Sequence, residues 1–377
     1  MKNMYDDFTL LVDGKEAFPE IIRCINAAKR HIEINMFIWR DDKIGNEIAK
    51  AVLDAANRGV RVEISVDRYG VVLEKAEENK KSFFHKDQWF IEKAKSRVLD
   101  LVYPSNSVVK HTKDEYSELY NKIMNHENII VDNLRFKADH SKYFVFDDET
   151  LIMGGINIED KENGKDMKGR VYQDYMIKLE GMEHVNAFRV KLENKENIMD
   201  EYFFGINKKE LNYEYFEMED LYLNMIKKAK RGIMITMAYF SSLENFIKEI
   251  LNASKRGVEV TIMIPSDANF QDDTNKKTVR KLMKLSNNKI NVYLSDKMVH
   301  TKMIITEDYI SFGSCNITKK AFNQLDELNI FLKNIECKLK DRLVSSIEEN
   351  YKSAKKVESY KEIKYNKVLA GLESFII

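Results

Sequence analysis

The residues with the clearest chemical potential are two histidine–lysine pairs, each at the start of an apolar segment. His140 and Lys142 open the segment DHSKYFVFDDETLIMGGINIED, and His300 and Lys302 open VHTKMIITEDYISFGSCNITKK. Successive side chains of a strand point to opposite faces, so the histidine and the lysine of each pair share one face. Each segment therefore places a potential nucleophile or proton carrier beside a cation.

Each pair is followed by an acidic residue and then by a small-residue element that ends in asparagine. Strand alternation puts Asp147 and Glu307 on the opposite face, where we expect them to brace the sheet. The elements GGIN and GSCN would bring exposed backbone and amide donors to the histidines. Together with the lysines they predict a pocket for a tetrahedral anion, of which a phosphoryl group is the natural occupant. The candidate phosphate-binding residues are Gly155, Asn157, Ser314 and Asn316.

A lone HxK motif is weak, because on the order of one match is expected by chance in so lysine-rich a chain. His111, in HTKDEYSE, is such a match. Polar, helix-like residues follow it and no Gly-x-Asn element comes after it, so we interpret His111 as an ordinary surface residue. At His140 and His300 the apolar strand, the asparagine and the repetition coincide, which favours a functional role.

Internal repetition supplies the elements that would position the two pairs. Residues 16–39 and 219–240 each have the pattern of an amphipathic helix followed by a strand, and a second helix and strand follow each of them. Alternating helices and short apolar strands are typical of sheets covered on both faces. The sequence therefore predicts two duplicated α/β/α domains with mixed, mainly parallel sheets. A pseudo-two-fold axis would relate them, with the active site at their interface.

The length of 377 residues also favours two domains, because it exceeds what one core usually holds. We assign residues 1–210 to an N-terminal domain that carries the first HxK motif. Within it, residues 71–135 form an insertion rich in charged and aromatic residues. Residues 211–377 form a C-terminal domain with the second motif and a lysine-rich, helical tail from 338 onward.

Composition limits the possible partners and cofactors. Sixty-one basic residues balance sixty-one acidic ones, so the chain has no overall field that would attract nucleic acid. The seven histidines show no metal-ligand spacing, and two lysines would repel a divalent cation, so no cofactor is expected. Three cysteines without a CxxC motif indicate a reducing compartment. The start of the chain does not have the pattern of a signal peptide, and the longest notable uncharged run, 232–243, is too short to span a bilayer.

These residues resemble the phospholipase D superfamily, whose signature HxKx4D followed by GGxN or GSxN occurs twice in a pseudo-symmetric chain. The first copy matches in full, and the second has Glu307 where the family has aspartate. The resemblance covers most of residues 8–335. Within the family, bacterial cardiolipin synthases are the most similar subgroup, on the segments FIWRDDKIGNEIAKAVLDAANRGVRV, YQDYMIKLEG after GGIN, and FNQLDELNI after GSCN.

The resemblance implies a phosphatidyltransferase that moves a phosphatidyl group between phosphatidylglycerol molecules through a covalent phosphohistidine. His140 would be the nucleophile, oriented by Glu327, and His300 the acid and base, oriented by Asp174. From the residues alone, either histidine could take either role. The expected partners are phospholipids and an anionic membrane surface, which would place a cytoplasmic protein peripherally on the inner face of the cell membrane.

Other functions remain open at this stage, because the residues define only the first half-reaction. Water as acceptor would give a phospholipase D-type hydrolase. A nuclease or other phosphodiesterase is disfavoured by the zero net charge, and a non-catalytic lipid-binding scaffold by the two intact histidine–lysine pairs. The aromatic residues Phe83, Phe84, Trp89 and Phe90 lie among lysines, and they suit either a membrane anchor or the core of the insertion.

Overall fold

The computed structural model describes residues 4–76, 81–86, 94–95, 98–99, 102, 116–134, 136–210, 213–334 and 336–376. In these ranges two mixed sheets pack against each other through a shared apolar core, and helices cover their outer faces. This shared core includes Met153 and Ile177 of the first sheet and Phe312 and Ile330 of the second. The predicted pair of α/β domains with mixed sheets is confirmed.

The first sheet has seven strands in the order β1-β8-β6-β5-β2-β3-β4. Only the pairings β2 with β3 and β3 with β4 are parallel, and the other four are antiparallel. The strands are β1 (Phe8–Val12), β2 (His31–Met36), β3 (Arg61–Val66), β4 (Ile129–Asp132), β5 (Tyr143–Phe146), β6 (Thr150–Gly154) and β8 (Tyr175–Glu180).

The second sheet repeats this arrangement in the order β10-β9-β17-β16-β15-β11-β12-β13-β18. Its parallel pairings are again two, β11 with β12 and β12 with β13. The short strands β7 (Tyr172–Gln173) and β14 (Met298–Val299) pair with each other and join the two halves. The other strands are β9 (Tyr202–Glu210), β10 (Tyr213–Phe216), β11 (Gly232–Met237), β12 (Glu259–Pro265), β13 (Asn291–Ser295), β15 (Lys302–Thr306), β16 (Tyr309–Gly313), β17 (Glu327–Lys333) and β18 (Lys355–Val357).

The expectation of mainly parallel strands is wrong, and the cause lies in the strands that carry the HxK motifs. Asp147 and Asp148, both with positive φ, form a tight turn from β5 into β6, and a turn of two residues, 307–308, connects β15 to β16. A parallel pairing needs a long crossover connection, usually a helix, and none lies between these strands. The neighbouring strands that do pair in parallel, such as β2 with β3 and β11 with β12, are joined by helices.

Amphipathic helices cover the outer faces because each buries one apolar stripe, such as Ile48, Val52 and Ala55 of the second helix. The helices are α1 (Asp13–Ala27), α2 (Lys43–Asn57), α3 (Gly70–Ala76), α4 (Glu118–Met124), α5 (Met182–Asn194), α6 (Met218–Lys228), α7 (Glu244–Lys255), α8 (Asp272–Leu285), α9 (Lys319–Asn323), α10 (Lys338–Ser353) and α11 (Lys367–Ile376). Short 3₁₀ turns cover Met4–Asp7, Asp160–Asn163 and Tyr360–Glu362. Within the described ranges, no helix is long and apolar enough to cross a membrane.

Equivalent residues end the repeated helices. Gly59 and Gly257 follow α2 and α7 with φ values of +91° and +88°, a conformation that glycine adopts without steric cost. Arg58 donates to the Ile25 carbonyl at 3.0 Å, and Arg256 donates to the Ile226 carbonyl at 3.1 Å. Each arginine therefore joins the end of one helix to the end of the preceding helix, in both copies of the repeat.

Two segments belong elsewhere than the sequence suggested. Strand β9 pairs with β17, so Tyr202–Glu210 lies in the second sheet, whereas the predicted boundary at 210 assigns it to the first half. Phe83 and Phe84 are buried in the core of the first half beside Trp39. Phe83 and Phe84 therefore cannot anchor the protein to a membrane as placed. Trp89, Phe90 and His111 lie outside the described residues.

Candidate active site

The backbone at each histidine is hydrogen-bonded to the opposite half of the chain. The amide of His140 donates to the Asp326 carbonyl at 2.8 Å, and the amide of His300 donates to the Gln173 carbonyl, also at 2.8 Å. In both cases the next residue along the accepting segment is a carboxylate, Glu327 or Asp174. The junction between the halves therefore brings each histidine to the carboxylate of the other half.

The two histidine–carboxylate pairs have the same geometry. His140 Nδ1 lies 3.1 Å from Glu327 Oε2, and His300 Nδ1 lies 2.9 Å from Asp174 Oδ2. An imidazole held at Nδ1 by a carboxylate keeps its Nε2 atom available for a substrate and has a fixed ring orientation. These are the pairings that the family resemblance implied, and the roles of the residues remain part of the proposal below.

Lys142 and Lys302 are fully buried at the centre of the site. Each ammonium donates to the backbone carbonyl of the histidine in its own motif, and Lys302 Nζ also lies 3.8 Å from Asp174 Oδ2. Burial and the charge of Lys302 lower the pKa of Lys142 to about 7, and burial lowers the pKa of Lys302 as well. An entering anion would offset this repulsion, so the site favours a negatively charged ligand.

The pKa values of the other ionisable groups in the site are also shifted in the direction that favours the neutral form. Burial and the nearby lysines lower the pKa of both histidines well below the ordinary value. Burial raises the pKa of Glu327 to about 8 and also raises the pKa of Asp174. Desolvation thus disfavours charge on every group of the site, and proton positions depend on what the ligand brings.

The two asparagines lie buried at the ends of the small-residue elements. Asn316 accepts a hydrogen bond from the Tyr239 amide at 3.2 Å and lines a cavity together with His140. The Oδ1 atom of Asn157 has no hydrogen-bond partner within the described part of the chain. Since buried polar atoms are nearly always paired, Asn157 is a candidate ligand contact.

Gly155 and Ser314 contact the carboxylates directly, which differs from their predicted contact with phosphate. A Cβ atom on Gly155 would lie 2.2 Å from Asp174 Oδ2, so the glycine leaves room for this carboxylate. The hydroxyl of Ser314 donates to Glu327 Oε2 and accepts from the Leu328 amide at 3.0 Å. The Ser314 hydroxyl is therefore occupied in holding Glu327.

Asp147 and Glu307 brace the sheets, but they do so from the turns after β5 and β15, where the alternation of strand faces does not apply. Asp147 Oδ1 accepts from the amides of Arg30 at 2.7 Å and His31 at 2.9 Å, where β2 begins. Glu307 Oε1 accepts from the amide of Arg231 at 3.2 Å and from that of the preceding residue, just before β11. Glutamate in place of aspartate at 307 thus preserves the bracing contact.

The surroundings of the two histidines differ strongly. Beside His140 is a cavity of about 340 Å³, with mostly apolar walls. Its apolar lining includes Phe37, Val72, Leu73, Leu99 and Leu325. Near His300, by contrast, lies a cluster of buried charged side chains: Glu162 is 3.8 Å from its Nδ1, Lys161 is close enough to lower its pKa, and Glu159 pairs with Lys161 and Arg40.

Sequence reasoning missed this charged cluster, although one signal for it was present. The residues after GGIN are IEDKEN, whereas those after GSCN are ITKKAF, so acidic residues occur in one copy of the repeat only. The 3₁₀ turn Asp160–Asn163 brings Glu162 to His300. This difference between two otherwise matching motifs could have indicated the charged cluster near His300.

A duplicated α/β fold that joins two histidine–lysine motifs in one buried site is characteristic of phospholipase D-type proteins. A family model described as "Cardiolipin synthase, PLD-like domain" matches residues 21–168 and 222–352, and the chain belongs to this family. The chain is 24% identical over 355 residues to the cardiolipin synthase of Clostridium perfringens (strain 13 / Type A), covering 87% of this chain and 67% of that protein. It is also 25% identical over 363 residues to the major cardiolipin synthase ClsA of Bacillus subtilis (strain 168). This match covers 90% of this chain and 68% of that protein.

Solved structures support the same fold. Phosphatidylserine synthase of Haemophilus influenzae Rd KW20 superposes with a TM-score of 0.70 over 99% of this chain and 93% of that one, at 12% identity. Polyphosphate kinase of Porphyromonas gingivalis gives a TM-score of 0.57, also at 12% identity, over 99% of this chain and 53% of that one. At such low identity these similarities establish the architecture alone.

Proposed function

We propose that the protein is a phosphatidyltransferase of the cardiolipin synthase type. It would transfer a phosphatidyl group from one phosphatidylglycerol to the glycerol hydroxyl of a second one, and release glycerol. Family membership and the paired histidine–lysine site support this reaction. Phospholipid is then the substrate class, and the surface of an anionic membrane is where the protein would meet it.

In the first half-reaction His140 is the nucleophile, the role that the family resemblance implies for it. Its Nδ1 is held by Glu327, so its Nε2 attacks phosphorus, and a nitrogen–phosphorus bond forms as the bond to the leaving glycerol breaks. Protonated His300 gives its proton to that glycerol oxygen. Lys142 and Lys302 offset the phosphoryl charge throughout.

The second half-reaction reverses these steps with a new alcohol. The glycerol hydroxyl of a second phosphatidylglycerol gives its proton to His300 and attacks phosphorus, and the bond from phosphorus to His140 breaks. The enzyme thus returns to its starting protonation state. Two histidines with opposite protonation suffice for the cycle, and no cofactor is needed for this balance.

The apolar cavity beside His140 is the observation that carries the choice of a lipid substrate. Its walls would suit the glycerol backbone and the first carbons of the acyl chains, with the phosphoryl group at His140. Its 340 Å³ corresponds to roughly ten water-sized volumes, enough for this part of a lipid but not for whole acyl chains. A nucleic-acid substrate would instead need a basic groove along the backbone.

Lipid mass spectrometry after incubation with phosphatidylglycerol vesicles tests the proposal. We expect cardiolipin and free glycerol in equal amounts, and no product with His140→Ala. His300→Ala should accumulate the phosphohistidine when the donor carries a good leaving group, detectable as a mass increase of the intact protein. Formation of phosphatidic acid alone would identify a hydrolase, and cleavage of DNA without lipid turnover a nuclease. Either result would overturn the proposal.

A further inference from the structure

Glu162 breaks the symmetry of the site at the position where the repeat has an alanine. It lies five residues after Asn157, and Ala321 lies five residues after Asn316. Ala321 lines the apolar cavity at His140, whereas Glu162 faces His300 from the 3₁₀ turn. His300 therefore has a carboxyl group at a position where the repeat supplies none to His140, whose carboxylate neighbours are Glu327 and the adjacent Asp139.

Glu162 lies close to His300, and one of its carboxyl oxygens lacks a hydrogen-bond partner. Its side chain is buried, and Oε1 lies 3.8 Å from His300 Nδ1, the same atom that Asp174 holds at 2.9 Å. This Oε1 has no hydrogen-bond partner among the residues that the structure describes. An unsatisfied carboxyl oxygen is costly to bury, so its placement beside a titrating imidazole calls for an explanation.

The other charges around Glu162 are engaged with one another. Arg40 forms an ion pair with Glu159, and Lys161 Nζ lies 3.1 Å from Glu159 Oε1. Asp174 is shared between His300 and Lys302. Glu162 is thus a further carboxyl, beyond these pairs, that can respond to a charge on His300. The groups that face His300 from other elements are Lys161, Lys142, His140, Tyr172 and Tyr239.

Burial and the neighbouring Glu159 raise the pKa of Glu162 well above its ordinary value. Burial and the lysines lower the pKa of His300, so burial disfavours the charged form of each group taken alone. An ionised carboxyl within 4 to 6 Å favours an imidazolium, and the reverse also holds. Each group therefore biases the protonation of the other.

We propose that Glu162 is a positioning residue that shares the charge of protonated His300 and thereby assigns proton transfer to His300 and nucleophilic attack to His140. His140 has Glu327 as its carboxyl partner and no second one at the equivalent place. When His300 passes its proton to the leaving alcohol, Glu162 loses its charged neighbour. It regains that neighbour when the acceptor alcohol returns a proton. The assignment of steps rests on the proposed function, whereas the pairing of Glu162 with His300 does not.

Histidine NMR titration tests the pairing without any substrate. Glu162→Gln keeps the size of the side chain and removes its charge, and it should lower the pKa of His300 by roughly one unit while that of His140 stays unchanged. His300→Ala and His140→Ala would assign the signals, and Glu307→Gln serves as a carboxyl-to-amide control away from the site. No shift at His300, or an equal shift at both histidines, would refute the pairing.

Leaving-group dependence tests the catalytic consequence. With a soluble phosphodiester that releases an aliphatic alcohol, Glu162→Gln should lower kcat by roughly tenfold or more, because the alcohol must be protonated. With a p-nitrophenyl ester, whose leaving group needs no proton, the first-turnover rate should change by less than about twofold. Equal losses with both esters would mean that Glu162 is only structural.

The two tests separate this inference from the proposed function. A wild-type protein that makes no cardiolipin but shows the His300 shift and the leaving-group difference would retain the role of Glu162 and lose the lipid assignment. Thermal unfolding of Glu162→Gln should match the wild type, and a variant that fails to fold would be replaced by Glu162→Asp. In Glu162→Asp the pKa of His300 must also fall, by less than in Glu162→Gln, for the pairing to hold.

Discussion

Glu327 and His140 are 187 positions apart in the chain, yet their Oε2 and Nδ1 atoms lie 3.1 Å apart across the junction of the two halves. Asp174 and His300 repeat the relationship in the opposite direction, 126 positions apart and at 2.9 Å. Each half thus supplies the histidine of one pair and the carboxylate of the other. Neither half contains a complete site, so catalysis depends on the packing of the two sheets.

Removal of one of these carboxylates should disable its histidine without unfolding the protein. Glu327→Gln should lower kcat by roughly a hundredfold, because the ring of His140 loses both its orientation and its proton partner. Steady-state kinetics on a soluble phosphodiester would measure the loss. Ser314→Ala, which removes only the hydroxyl that supports Glu327, should cost less. A loss at Ser314 as large as that at Glu327 would contradict this order of importance.

Gly155→Ala should lower activity, whereas the same substitution at Gly232 should not. The Cβ of Gly155→Ala would lie 2.2 Å from Asp174 Oδ2, so Asp174 must move away from His300 and activity should fall. Gly232→Ala is the matched control, because its Cβ would meet nothing nearer than 3.8 Å. Kinetics and thermal unfolding of both variants would be compared. Equal activity in the two would show that Asp174 can be displaced without consequence.

The sequence predicted the site better than the sheets because the site residues are local signals and strand pairing is not. His140, Lys142 and Asn157 flank one strand–turn–strand unit, β5 to β6, and the repetition of this unit predicted the second histidine–lysine pair. The pairing of β9 with β17 and the burial of Phe83 depend on packing between segments far apart in the chain. The contact of Glu162 with His300 likewise crosses the junction, so spacing alone could not predict it.

The lowered pKa of Lys142 predicts a specific dependence of substrate binding on pH. In the empty site the pKa is about 7, so the ammonium loses its proton as the pH rises through that value. A bound phosphodiester is anionic and restores the proton, so KM should rise above about pH 7 while kcat stays nearly constant. Kinetics between about pH 6 and 9 would show it. Lys142→Arg, which stays charged, should abolish the rise in KM even if its activity is lower.

Lys302 and Glu307, both part of the second motif, should differ in how strongly their substitution affects activity. Lys302→Ala removes a buried cation from the centre of the site, and we expect activity to fall by roughly a hundredfold or more. Glu307→Asp keeps a carboxylate that accepts from the amides before β11, so its activity should be nearly unchanged. Activity and unfolding temperature would be measured together. Comparable activity losses in two well-folded variants would overturn the assignment of Glu307 to a bracing role.

Membrane docking should involve the C-terminal helix, since Phe83 and Phe84 are part of the core. Val368 and Leu372 lie one turn apart on α11 and are 71% and 43% exposed, beside the exposed Lys364 and Lys367. Apolar side chains next to lysines suit the surface of an anionic membrane. Vesicle sedimentation should therefore show binding that rises with anionic lipid content and weakens with salt, by roughly 1 kcal/mol for each lysine that reaches the surface.

The double variant Val368→Ser with Leu372→Ser should weaken vesicle binding roughly tenfold or more, because two apolar side chains no longer enter the membrane. Its activity on a soluble phosphodiester should equal that of the wild type, since the histidine site is untouched. Ile198→Ser, which removes another exposed apolar side chain, is the control and should bind vesicles normally. If the double variant and the control bind alike, or if salt and lipid charge have no effect, docking occurs through another surface.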